Sequence, residues 1–224
     1  MTVSPTYPSK SAAKLMIALS YNERMTTSRS TPRIRLTQAL YLLLLALVAT
    51  SDGRSLVGGP ALLAQAAGFL LVVTAVLGRL WITLFIAGRK AEQLVRDGPF
   101  AQCRHPLYLA SIVGAIGIGL TTLSLTLTII LPLVIGAIAI TAARREDADL
   151  LAAHGGAWRE YRDSVPAFLP DWSHRRMPES VAVPPRIYRK AFLDAASFLA
   201  LWLFVLLLEG LRAGGAWQAL FSLP

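Results

Sequence analysis

Two groups of residues in this chain are of types that do chemistry together. The first is Arg104-His105-Pro106-Leu107-Tyr108, preceded by Gly98-Pro99-Phe100; the second is Glu146-Asp147, on the far side of an apolar hairpin. An imidazole and a carboxylate can pass a proton, and an arginine beside them can hold an anion. Ionisable groups crowded where apolar segments leave a membrane usually mark a site. Gly98-Pro99 supplies turn chemistry, with glycine freeing the backbone and proline fixing it. Pro106 falls in the first turn of the next helix, where its missing N–H costs little. His105 and Tyr108 are three residues apart and share a face if both are helical.

The elements that position these groups are membrane spans. Of 224 residues, 54% are hydrophobic and only 16% charged, against about 25% charged in a soluble domain. The apolar residues are gathered into long blocks, so lipid is the expected solvent. The net charge is +9, and most cations flank those blocks, which is the positive-inside pattern. No basic stretch alternates with exposed aromatics, so nucleic acid is not an expected partner. Cys103, the single cysteine, excludes an intrachain disulfide and argues against a cysteine-ligated zinc site. No metal ligand set is expected.

The expected fold is all-α, a multi-span membrane helix bundle with about five transmembrane helices. Residues 1–33 read as a disordered cytoplasmic arm bearing Lys10, Lys14, Arg24, Arg29 and Arg33, with Met16 and Met25 offering later starts. Residues 34–60 hold a first transmembrane helix and an external loop. Residues 61–170 form the core: a span over 61–87, then a hairpin of 107–120 and 123–143. Residues 171–224 hold a cytoplasmic linker, an extra C-terminal transmembrane helix over 192–208, and a tail. The basic segments 1–33, 88–106 and 144–190 fall on one side, which the positive-inside rule makes cytoplasmic. Arg79 sits about eight residues from the cytoplasmic end of its helix, ~12 Å deep; it can snorkel, with Trp81 as an interfacial anchor, or turn inward. Glu146, Asp147 and Asp149 open a polar helix expected to run to Tyr161, with Trp158 and Tyr161 on one face. Taken alone, that helix also reads as an amphipathic segment on the membrane surface. Val165-Pro166 ends it, and Phe168-Leu169-Pro170 leads away.

In order and spacing these pieces resemble the isoprenylcysteine carboxyl methyltransferase family, whose members are multi-span enzymes using S-adenosylmethionine. The resemblance rests on Arg79 and Trp81, Gly98-Pro99-Phe100, Arg104-His105-Pro106-Leu107-Tyr108, Glu146-Asp147, Leu150, His154-Gly155, Trp158, Tyr161, and Val165-Pro166 with Pro170. It covers roughly residues 61–170. Asp147 stands where the family has a second Glu, His154 where it has an aromatic, and Trp158 where it has a Tyr. Ala142 occupies the position of a substrate-facing Arg, and Arg144 and Arg145 lie elsewhere round the helix. Gly88-Arg89-Lys90 and the terminal helix from Asp194 to Glu209 are similar to a bacterial branch, which implies the inner (cytoplasmic) membrane.

The resemblance implies a S-adenosyl-L-methionine pocket at the cytoplasmic face, covered by the helix after Glu146. Leu94, Val95, Phe100, His105, Pro106, Leu107 and Tyr108 would line it. Glu146 would be the catalytic residue, with Glu146, Arg79 and Arg145 on the side of a lipidic or prenylated acceptor entering from the membrane lipid. Methyl transfer from a sulfonium is an in-line displacement, so positioning and water exclusion supply most of the catalysis. A carboxylate acceptor needs a cation to hold it; a phospholipid amine needs a base, and Glu146 serves there. Carboxyl methylation leads, with phospholipid amine methylation and a non-catalytic membrane relative as alternatives. A small transporter is disfavoured by the lack of internal repeats.

Overall fold

The computed structural model describes residues 42–52, 56–87, 93–174, 176–216 and 221–222. The expected N-terminal arm, the start of the first span and Gly88-Arg89-Lys90 lie outside these residues. Helix α1 covers 42–50 and leads into a two-residue strand, β1 (Ser51–Asp52). Then come α2 (Gly59–Ile86), a one-turn α3 (Pro99–Gln102), α4 (Pro106–Thr121), α5 (Leu125–His154), α6 (Gly156–Ser164) and α7 (Pro185–Ala213). Strand β2 (Phe221–Ser222) pairs with β1 in parallel.

Helices α2, α5 and α7 have 28, 30 and 29 residues and are apolar enough to cross a membrane. At 1.5 Å per residue each exceeds the ~30 Å hydrocarbon core. Helix α4 is apolar but shorter, at 16 residues. Along the outer face of α2, Leu63, Leu70 and Leu77 are 72%, 64% and 61% exposed. Leucines seven residues apart keep one face, and such a stripe requires lipid rather than water beside it. The chain is an integral membrane protein built as an all-α, multi-span bundle.

Every long helix contributes to one core: Leu44 and Val48 from α1, Val72 and Val76 from α2, Ile118 from α4, Leu127 and Leu131 from α5, Ala195 and Val205 from α7. The most extensive packing is α2 against α4. Small residues allow it: a Cβ on Gly68 would stand 2.6 Å from the carbonyl oxygen of Gly117, and one on Gly117 2.7 Å from that of Gly68. Close backbone approach of this kind is how membrane helices gain packing energy where lipid gives no hydrophobic drive.

The α4–α5 turn buries Thr121, Thr122 and Ser124. Their hydroxyls satisfy the backbone locally: Thr121 donates to Gly117 O (2.9 Å), Thr122 to Gly119 O (2.7 Å), and Ser124 caps α5 by accepting from Leu127 N (3.3 Å). Near the same end Arg212 of α7 is buried. It pairs with Glu209 (2.6 Å) and donates to the carbonyls of Val48 and Ala49 at the end of α1 (both 2.9 Å).

One expectation is corrected. Glu146 does not open a separate helix; it lies within α5, which runs on past the apolar stretch to His154. Nothing between Gly136 and His154 breaks the helix, and the chain turns only at Gly155, whose φ of 54° suits glycine. The Gly68–Gly117 contact generates a prediction. Gly68→Val should lower the thermal midpoint in detergent, by an overpacking cost of about 1–3 kcal/mol; an unchanged midpoint would show that the two helices separate freely there.

Candidate functional site

At the end of the bundle opposite the Thr121–Ser124 turn, α4 begins where α5 finishes. His105 is the residue that precedes α4, and Pro106 takes the first helical position as expected. The segment before it is held by a ladder of backbone bonds to the chain returning from α6. Arg104 N donates to Pro166 O (2.9 Å), His105 N to Ala167 O (3.0 Å), Asp171 N to Gln102 O (2.9 Å) and Gly98 N to Arg176 O (2.7 Å). Residues 166–170 therefore do not lead away, as the prolines suggest; they return along 102–105, and the Phe168 ring lies 5.6 Å from that of His105. Gly98 has φ 61° and packs on the Phe85 ring, so both backbone and space demand glycine there.

Asp147 gathers the site. Its Oδ2 accepts from Arg104 Nη1 at 3.0 Å and its Oδ1 faces His105 Nε2 at 2.9 Å. One residue earlier, Glu146 Oε2 accepts from the Tyr108 hydroxyl at 3.2 Å. Helix α6 closes the top. Trp158 and Tyr161 are 1% and 4% exposed, and the Tyr161 hydroxyl donates to Phe100 O at 2.7 Å. Arg104 lies over the Trp158 ring and Arg96 over the Tyr161 ring, each 5.7 Å from the centroid. Arg96 also bonds Ala157 O and pairs with Glu160 at 3.6 Å.

These residues line a half-open chamber of about 90 Å³ whose wall is mainly apolar and carries the polar groups of Arg104, His105, Tyr108 and Glu146. Leu94, Val95, Phe100, His105, Pro106, Leu107, Tyr108 and Glu146 all line it, together with Arg104, Trp158 and Tyr161. Sequence reasoning assigned Asp147 no partner, yet it is the residue that joins Arg104 to His105. Arg145 is exposed and lines neither this chamber nor the larger one below.

Arg79 lies deeper, on a second cavity of about 620 Å³ walled mainly by apolar side chains of α1, α4, α5 and α7. It turns into the bundle rather than snorkelling. Its Nη1 donates to Ser111 Oγ at 2.7 Å, its Nη2 pairs with Asp194, and its Cζ lies 5.1 Å from the centroid of the Phe198 ring. Asp194 is the partner that the sequence reading missed, although an acid inside an apolar helix is itself a signal. Ala142 also faces this cavity. Among the described residues no group of three or more His, Cys, Asp or Glu could hold a metal ion.

Burial shapes the local protonation. It lowers the pKa of His105 from its ordinary 6.5, outweighing Asp147 and Glu146, which pull the other way. The folded imidazole is thus held neutral, with its proton on Nε2 facing the Asp147 carboxylate, which can only accept. Burial pushes the Cys103 thiol up to about 11, so it carries no thiolate near neutrality. Burial also raises the Tyr161 phenol.

The sign for His105 follows from linkage. Below pH ~6.5 the unfolded chain protonates this histidine and the folded one resists, so stability present above that pH is lost as pH falls through it. The drop in thermal midpoint between pH 7.5 and 5.5 should therefore be larger in the native chain than in His105→Gln. Equal drops would mean that His105 is not held neutral. Asp147→Ala strands both Arg104 and His105 and should cost about 1–3 kcal/mol, the range for an unsatisfied buried partner.

Against known proteins, the model of the isoprenylcysteine carboxyl methyltransferase (ICMT) family matches residues 59–152, under half of the chain. The chain is 36% identical over 156 residues to the nickel-cobalt-cadmium resistance protein NccN of Alcaligenes xylosoxydans xylosoxydans, covering 70% of this chain and 72% of that protein. It is 35% identical over 156 residues to the cobalt-zinc-cadmium resistance protein CzcN of Cupriavidus metallidurans, with the same coverage. No solved structure matches the chain.

These relatives correct the methyltransferase reading. They are named for metal resistance, and they extend over more of the chain than the ICMT match does. The expected enzyme activity, the S-adenosylmethionine cofactor and the lipidic or prenylated acceptor fall with it. With more than a third of aligned positions identical to NccN and CzcN over most of each protein, the chain belongs to the family of these metal-resistance proteins.

Proposed function

We propose that this chain is a non-catalytic integral-membrane component of resistance to divalent transition-metal ions of the nickel, cobalt, zinc and cadmium group. The observation that carries this reading is the identity to NccN and CzcN over 70% of the chain. In it, α1 joins α2, α4, α5 and α7 as five spans. The end bearing Arg96, Arg104, Arg144, Arg145 and α6 faces the cytoplasm of a bacterial inner membrane, supported by the clustering of cations there.

The site residues then have structural duties. Asp147, with Arg104 and His105, fixes the cytoplasmic end of α5 to the start of α4. Glu146 serves as an acceptor for Tyr108 instead of a general base. Leu94, Val95, Phe100, Pro106 and Leu107 seal the chamber beneath α6. Arg79, mostly buried, pairs with the exposed carboxylate of Asp194 and ties α7 to α2, since an unpaired charge in a span is costly.

The test is tolerance of the native host to nickel, cobalt, zinc and cadmium salts, with the gene deleted and then restored. Deletion should lower the inhibitory concentration of at least one of these metals severalfold, and the native chain should restore it. No change for all four metals would overturn the assignment. Glu146→Gln keeps an acceptor for Tyr108 and should restore tolerance to within about twofold of the native chain. Complete loss of tolerance, at native protein level in the membrane, would instead make Glu146 a reacting group.

A further inference from the structure

We propose that Tyr108 is a gate between the small chamber beside Arg104, His105 and Glu146 and the large apolar cavity, held shut by its bond to Glu146. This goes beyond the metal-resistance reading and does not depend on it. Two side chains, Leu107 and Tyr108, line both cavities. The chamber of about 90 Å³ carries Arg104, His105 and Glu146 in an otherwise mainly apolar wall. The cavity of about 620 Å³ reaches from Tyr108 and Arg79 towards Leu131 and Val205 in the bundle core. The partition between them is thus one turn of α4.

Three features make Tyr108 the movable part of that partition. Its hydroxyl is held to Glu146 at 3.2 Å, longer than the ~2.5–2.7 Å of a strong hydroxyl–carboxylate bond. It is the third residue of α4, so no complete helical turn lies beneath it to fix its rotamer. His105, whose ring lies 5.7 Å away, is the cap below. On its other side the ring meets the larger cavity, whose nearby wall includes the small side chains of Ser111 and Ala142. A rotation of the ring into that space breaks the bond to Glu146 and joins chamber and cavity into one passage. The passage leads from the polar end of the bundle past the Arg79–Asp194 pair to its interior.

Thiol accessibility in proteoliposomes of the full chain tests this. Ala115→Cys and Ala139→Cys place reporters in the large cavity, at positions only 5% and 3% exposed. A small, permanently charged methanethiosulfonate cannot cross lipid, and peptide mass reads each cysteine separately from buried Cys103. Both reporters should react slowly in the otherwise native chain. Tyr108→Ala should speed them at least tenfold, and Tyr108→Phe, which keeps the ring but loses the bond, severalfold. Leu133→Cys on the lipid face should not change. A Tyr108→Ala rate equal to the native one, whether slow or fast, overturns the proposal. If that variant does not fold, Tyr108→Phe decides, and a rate within twofold of native overturns it.

Discussion

The carboxylate of Asp147 is the constraint on which the polar end of this molecule rests. Two neighbouring residues, Arg104 and His105, reach it from the loop that starts α4, and one oxygen serves each. Without that meeting the polar extension of α5 would project from the bundle as a free rod. With it, Glu146 is set opposite Tyr108, Trp158 lies under Arg104, and α6 has a surface to close against. The backbone ladder from 98–105 to 166–176 then needs no regular sheet, because both strands of chain are already in place. A half-exposed salt bridge is ordinarily worth little. Here it works as a registration device shared by three segments.

Much of this was legible in the sequence. Long apolar blocks gave the span of α2 nearly to the residue, since lipid permits few other readings, while α7 runs beyond the expected 192–208 at both ends. Gly98-Pro99 and His105-Pro106 marked true turns, because glycine and proline act on the backbone alone. The residues expected around the chamber, from Leu94 to Glu146, do converge. What could not be read were partners distant in sequence. Asp194 meets Arg79 from 115 residues away, and only the crossing of α2 and α7 brings them together. The return of 166–170 along 102–105 was hidden for the same reason: prolines announce a stop, and say nothing of the direction afterwards.

The correction of activity teaches a separate lesson. Turn residues, small-residue contacts and a carboxylate beside an arginine describe how helices meet. They are retained wherever that meeting is needed, whatever the molecule does with it. The match over residues 59–152 and the names of the wider relatives therefore describe different things. The first describes a way of joining spans; the second describes a biological setting.

Arg212 has a consequence for how the chain is made. The carbonyls that end α1 find their donors on α7, and β1 finds its pair in β2. Helix ends left in lipid without donors are costly, so the end of α1 is completed only once α7, 163 residues further on, has been made. Synthesis order and closure order run in opposite directions. Chains truncated before Glu209 lack the guanidinium that satisfies the end of α1.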